Sequence, residues 1–104
     1  MLKFDDKIIS SVLDEMGYEL LPVLKEDAQF YQFEIGFVMD DVFKSEETIN
    51  QFKATIKDTV KYLIEQSNED NREIVGFKYY IEYKIKYEIN EIIRMKIIAV
   101  LKHQ

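Results

Sequence analysis

Residues 76–89 read GFKYYIEYKIKYEI, with Phe77, Tyr79, Ile81, Tyr83, Ile85, Tyr87 and Ile89 at the odd positions. The even positions carry Lys78, Tyr80, Glu82, Lys84, Lys86 and Glu88. A period of two held this long is foreign to a helix, whose faces recur every ~3.6 residues, and predicts a strand with one apolar face and one wet face. Aromatic and β-branched side chains suit that pleated surface. The strand is longer than usual, so a neighbour must pair with most of it or both edges stay open. The odd side chains are expected to point together into the core.

The partner is expected to follow directly. Residues 90–103 fit a strand in which Ile93, Met95, Ile97, Ala99 and Leu101 alternate inward. They also fit a helix capped by Asn90, with Ile93, Ile97, Val100 and Leu101 on one face, so a helical 91–103 is the alternative. The strand is preferred because the long strand needs pairing. A three-residue loop at Asn90-Glu91-Ile92 sets Tyr87 opposite Met95, Ile85 opposite Ile97 and Glu88 opposite Arg94. A two-residue loop setting Tyr87 against Arg94 and Ile85 against Lys96 wastes the apolar face.

Upstream, Ile8, Ile9, Val12, Leu13 and Met16 share the face of a helix over 6–16, with Asp5 or Asp6 as cap and Phe4 as staple. Gly17 offers a left-handed stop, closed over by Tyr18. Residues 18–24, YELLPVL, read as a short strand that Pro22 confines to a sheet edge. Residues 29–39 alternate through Tyr31, Phe33, Ile35, Phe37 and Met39, and the two segments suggest an antiparallel hairpin. Gly36 marks a bulge or a close approach. Residues 40–44 form a loop into a second helix capped by Ser45, with Glu46 and Glu47 favouring its dipole. Ile49, Phe52, Ile56, Val60, Leu63 and Ile64 trace its buried stripe, and residues 67–73 read as a mobile connector.

The expected order is α-β-β-α-β-β: a two-layer α+β domain spanning 1–104, with a four-stranded antiparallel sheet and both helices on one face. Tyr80, Ile98, Val100, Phe30 and Val38 fall on the second face. They make it a candidate homodimer surface, unless the first helix covers it.

A chain of 104 residues suffices for one core without staples, and the absence of cysteine removes disulfides and thiol chemistry. No apolar run is long enough to span a membrane, and the N-terminus lacks a signal-peptide pattern, so a cytoplasmic location is expected. The net charge of −6 is uneven: residues 1–73 hold 17 acids against 8 bases, and residues 74–104 hold 3 against 6. Such polarity suits an acidic side meeting a basic partner.

No catalytic constellation emerges. The only histidine, His103, is next to last, and three glycines make no phosphate-cradling loop. Asp40, Asp41 and Glu46 do not have calcium-loop spacing, so capping and solvation explain them and neither metal nor cofactor is expected. Lys78, Tyr80, Lys84, Lys86, Arg94 and Lys96 sketch a basic, aromatic face for nucleic acid. The net charge and the inward placement of most tyrosines argue against that use. The expectation is a small, acidic, non-enzymatic protein-binding module, on the pattern of inhibitors or nucleic-acid mimics carried by phage or mobile elements. Its contact residues would be Asp40, Asp41, Glu46, Glu47, Glu26 and Asp27. The alternative is a self-associating structural or chaperone-like subunit.

Overall fold

The computed structural model describes residues 4–40 and 46–103. Helix α1 (Phe4–Glu15) is followed by strand β1 (Phe30–Asp40), helix α2 (Glu46–Glu69), and strands β2 (Ile74–Tyr87) and β3 (Asn90–Leu101). The class is α+β, but the sheet has three strands in the order β1-β3-β2, both pairings antiparallel. The expected fourth strand and the first hairpin are absent among the described residues.

The missing strand has a physical cause. Of residues 18–24 only Leu20 makes a β-bridge, and it lies parallel to Phe77 on the outer edge of β2 rather than beside β1. Phe77 donates its N–H to the Glu19 carbonyl and accepts from the Leu21 N–H. Pro22 follows with no N–H to give, so the pairing stops there. The inner place beside β1 goes to β3, whose Ile93, Met95, Ile97, Ala99 and Leu101 are buried on one side and Ile98 and Val100 on the other. A strand apolar on both parities belongs in the middle of a sheet. Residues 91–103 are thus strand through Leu101, and the helical alternative falls.

Both helices lie on one face. Ile8, Ile9, Val12 and Leu13 of α1 and Phe52, Ile56, Val60 and Leu63 of α2 form one buried cluster with Ile35, Ile74, Phe77 and the odd residues of β3 from Ile93 to Leu101. Tyr18 packs edge-on to Phe77, and Phe37 leans on Phe52. The stop at Gly17 is as expected: φ is +83°, the Tyr18 N–H reaches the Leu13 carbonyl, and the Gly17 N–H reaches that of Asp14. Asn71 repeats the motif for α2, with φ +58° and the Arg72 N–H on the Ser67 carbonyl. The first three residues of the predicted connector, 67–69, are therefore the last of α2, and Ser67 is buried with its hydroxyl donating to the Ile64 carbonyl. Asp6 lies inside α1, where its carboxylate accepts the Tyr79 hydroxyl instead of capping the helix. The Ser45 cap and the Phe4 and Asp5 side chains lie outside what is described.

Two irregularities interrupt β2, between Ile74 and Gly76 and between Ile81 and Tyr83. At the second, the pairing runs Ile81 with Met95, then Tyr83 with Arg94, leaving Glu82 unmatched. An extra residue on one strand reverses which face its later side chains occupy. Phe77, Tyr79 and Ile81 therefore point to the helices, while Tyr83, Ile85 and Tyr87 point to the opposite face. The expected single apolar side of this strand does not exist. The connecting turn is also shorter than the expected three-residue loop: Tyr87 pairs with Asn90 across Glu88 and Ile89. Positive φ falls on Glu88 alone, at +57°, the pattern of a type II′ turn.

Gly36 sits in a regular stretch of ladder opposite Arg94, and a Cβ there would meet only the Arg94 guanidinium at 3.8 Å. The close approach is at Gly76, where a Cβ would fall 2.6 to 2.9 Å from the Leu21 side chain. Gly76 is opposite Val100, so Leu21 lies on the sheet face away from the helices. The chain after α1 thus turns around the β2 edge and under that face before joining β1. This passage buries Ile98 and Val100, and Lys78 anchors it by donating to the Pro22 carbonyl at 3.2 Å. The molecule measures 47 by 26 by 25 Å; its long axis is about that of a fully extended β2 at ~3.4 Å per residue. No described helix is long and apolar enough to cross a membrane.

Candidate interaction surface

Beyond the crossing segment the face opposite the helices is open. Register places its side chains in rows across β1, β3 and β2. Gln32, Ile98 and Lys78 form one row, then Glu34, Lys96 and Tyr80, then Gly36, Arg94 and Tyr83, then Val38, Ile92 and Ile85. Asn90 and Tyr87 close the series at the hairpin end. Tyr80, Tyr83, Ile85, Tyr87 and Val38 are 42, 45, 50, 65 and 60% exposed. An apolar and aromatic group of this extent is unusual on a free surface, because each such side chain gains by leaving water. Of the residues expected on the second face, Val38, Tyr80 and Phe30 are open, while Ile98 and Val100 are covered.

The tyrosines stand in the column of β2, beside the cations of β3. Arg94 donates to Glu34 at 2.8 Å, and Lys96 lies 3.9 Å from the same carboxylate. The hydrogen bond from Arg94 holds the Glu34 carboxyl below its usual range, and Glu34 raises Arg94 in return. The Lys78 ammonium is 5.4 Å from the Tyr80 ring centre. These bonds neutralise much of the charge in the middle of the face and leave the aromatic column as its most prominent relief.

Two hollows flank β2. The larger, about 730 Å³, is lined by Asp6, Ser10, Pro22, Lys78, Tyr79 and Lys84, among others. Among the described residues its only carboxylate is Asp6, already engaged with Tyr79. The smaller, about 330 Å³, lies under the crossing segment against Val75, Val100 and Leu101. No three His, Asp or Glu side chains converge as for a metal ion among the described residues.

The acids chosen from sequence do not form one site. Glu26 and Asp27 are in an exposed turn before β1, with Asp27 3.8 Å from His103. Glu46 and Glu47 are exposed in the first turn of α2, after the far end of β1. A strand of 11 residues separates the two groups, about 35 Å at ~3.4 Å per residue. Asp40 ends β1 opposite Asn90, and Asp41 lies outside the described residues. Tyr83, Ile85 and Tyr87 were missed as surface residues because nothing in a strict alternation announces an extra residue. The available signal was the even parity of β3, where Ile92, Ile98 and Val100 require apolar company on the second face. Pairing Ile85 with Ile92 supplies it. No family model, curated protein or solved structure matches the chain.

Proposed function

We propose that the protein is a non-catalytic binding module whose contact surface is the open sheet face around Tyr80, Tyr83, Ile85 and Tyr87. The observation that carries this reading is the bulge at Glu82, which turns three large β2 side chains out of the helix-covered core and onto the face that carries exposed Val38. Large, amphipathic, conformationally restricted tyrosines are favoured at protein interfaces, where they bury much area at small entropic cost. In this reading Glu26, Asp27, Glu46 and Glu47 lie off the contact surface and act only through the long-range field of the molecule.

Capture of partners on immobilised protein tests it. A protein retained by wild type, lost by Tyr83→Ser/Tyr87→Ser and retained by Glu46→Lys/Glu47→Lys is the expected result. Loss on charge reversal with retention in the tyrosine variant would return the contact to the acids. Single-stranded nucleic acid is a second reading, favoured by one observation: Tyr80 and Tyr83 stand opposite Lys96 and Arg94 on the open face, which removes the argument from inward tyrosines. Arg94 and Lys96 are already directed at Glu34, and the net charge of −6 opposes a polyanion. Protein therefore remains the preferred partner class.

A further inference from the structure

Resting on that assignment of the open face, we infer that its occupant is a second copy of this chain, docked sheet against sheet about a two-fold axis running along β3. The relief of the face is the first reason. On one side of β3 stands a ridge of Tyr80, Tyr83, Ile85 and Tyr87; on the other lies a trough formed by Gly36 between Glu34 and Val38. A two-fold axis along the middle strand brings each ridge over the other copy's trough, so one surface serves as both halves of the fit. Tyr83 then meets the place where the Arg94 guanidinium lies above Gly36, a flat cation under an aromatic ring. Ile85 meets Val38.

Area is the second reason. The five side chains that are 42 to 65% exposed offer about 500 Å² at roughly 200 Å² each. Glu34, Arg94 and Lys96, each 36 to 41% exposed, bring the patch to about 700 Å², close to the ~800 Å² per partner of a stable interface. Charge is the third. Helices α1 and α2 hold nine acids against four bases, and both lie on the far side of the sheet. Stacking the open faces therefore turns the acidic layers outward, where they are farthest apart and screened. Pairing along the β2 edge is the weaker route to a dimer, since the bulge at Glu82 and the charges of Lys84 and Lys86 disfavour an added strand.

Sedimentation velocity from about 1 to 100 µM decides the matter. The wild type should be a dimer whose dissociation constant is little changed by 0.5 M NaCl. Ile85→Glu, at a half-exposed position that leaves the fold intact by circular dichroism, should weaken it at least about 100-fold. Gly36→Trp, which fills the trough from the opposite strand, should do the same, and Glu46→Lys/Glu47→Lys should not. A wild-type monomer at 100 µM overturns the inference. So does a dimer indifferent to Ile85→Glu, or one abolished by salt. If that monomer still captures a protein that Tyr83→Ser/Tyr87→Ser loses, the binding function stands and only its occupant changes. If instead it binds a fluorescent single-stranded oligonucleotide through the same tyrosines, both give way to the nucleic-acid reading.

Discussion

Replacing Gly76 by alanine tests the crossing of the chain beneath the sheet. The added Cβ would lie 2.6 Å from Leu21 Cγ and 2.8 and 2.9 Å from its two methyl carbons. The branch point of the side chain is included, so rotating its tip cannot relieve the contact. Gly76 is not among the positive-φ residues, so alanine brings no backbone strain. By itself it should stabilise the strand by about 0.5 to 1 kcal/mol through the unfolded chain. Overpacking costs about 1 to 3 kcal/mol, and the net expectation is a loss of about 1 to 2 kcal/mol. Leu21 is half-buried, so Leu21→Ala should cost about 1 to 2 kcal/mol, below the range for a fully buried leucine. In the Leu21→Ala background the clash is gone, and Gly76→Ala should become neutral or stabilising. The two substitutions should therefore couple by about 1.5 to 2.5 kcal/mol in a double-mutant cycle. Urea denaturation of the four proteins measures this, with similar m-values expected throughout. An equal cost of Gly76→Ala in both backgrounds, or a gain in the wild-type background, would refute the passage of Leu21 over Gly76.

Two smaller predictions follow from the same geometry. Glu88 holds φ +57° in the β2–β3 turn, a conformation costing a non-glycine residue about 1 to 2 kcal/mol. Glu88→Gly recovers that cost less its own entropic loss, so thermal denaturation should show about 0.5 to 1 kcal/mol of stabilisation. A lowered midpoint would contradict the turn. Glu34 titrates below its usual range because of its hydrogen bond from Arg94. A carboxyl depressed in the folded state favours folding above its unfolded pKa of about 4.3, and that contribution vanishes as pH falls through the folded value. An NMR titration should place Glu34 below the other exposed glutamates, and Arg94→Gln should bring it back among them. A Glu34 value unmoved by that substitution would dismiss the pair as its cause.

Much of the fold is decided locally and was legible in the residues. Gly17 ends α1 because only a residue tolerant of positive φ closes that turn, and a run of apolar residues one, three and four apart makes α1 and α2 amphipathic wherever they dock. The strand character of residues 76–87 follows from alternation, whereas residues 90–101 fit a helix as well and were read as strand because the long strand needs a partner. Period and conformational preference are properties of a few neighbouring residues, and they survive any change of tertiary context.

Which strand lies beside which, and which way a side chain faces, depended on partners far along the chain. Pro22 was visible as a break, but only the competition for β3 decided that residues 18–24 would bridge the β2 edge and pass under Gly76 instead of pairing with β1. Glu82 looked like one more wet position in an unbroken alternation. Its neighbours Tyr83, Ile85 and Tyr87 turn outward because β3 presents Met95 to the helices and Ile92 to the open side, and one unmatched residue lets β2 satisfy both. A one-residue slip costs nothing in local periodicity and reverses every side chain beyond it. The two helices, the stop at Gly17 and the extended character of β1 and β2 were therefore set by the chain's own order, while the open aromatic face came into being only when β2 met β3.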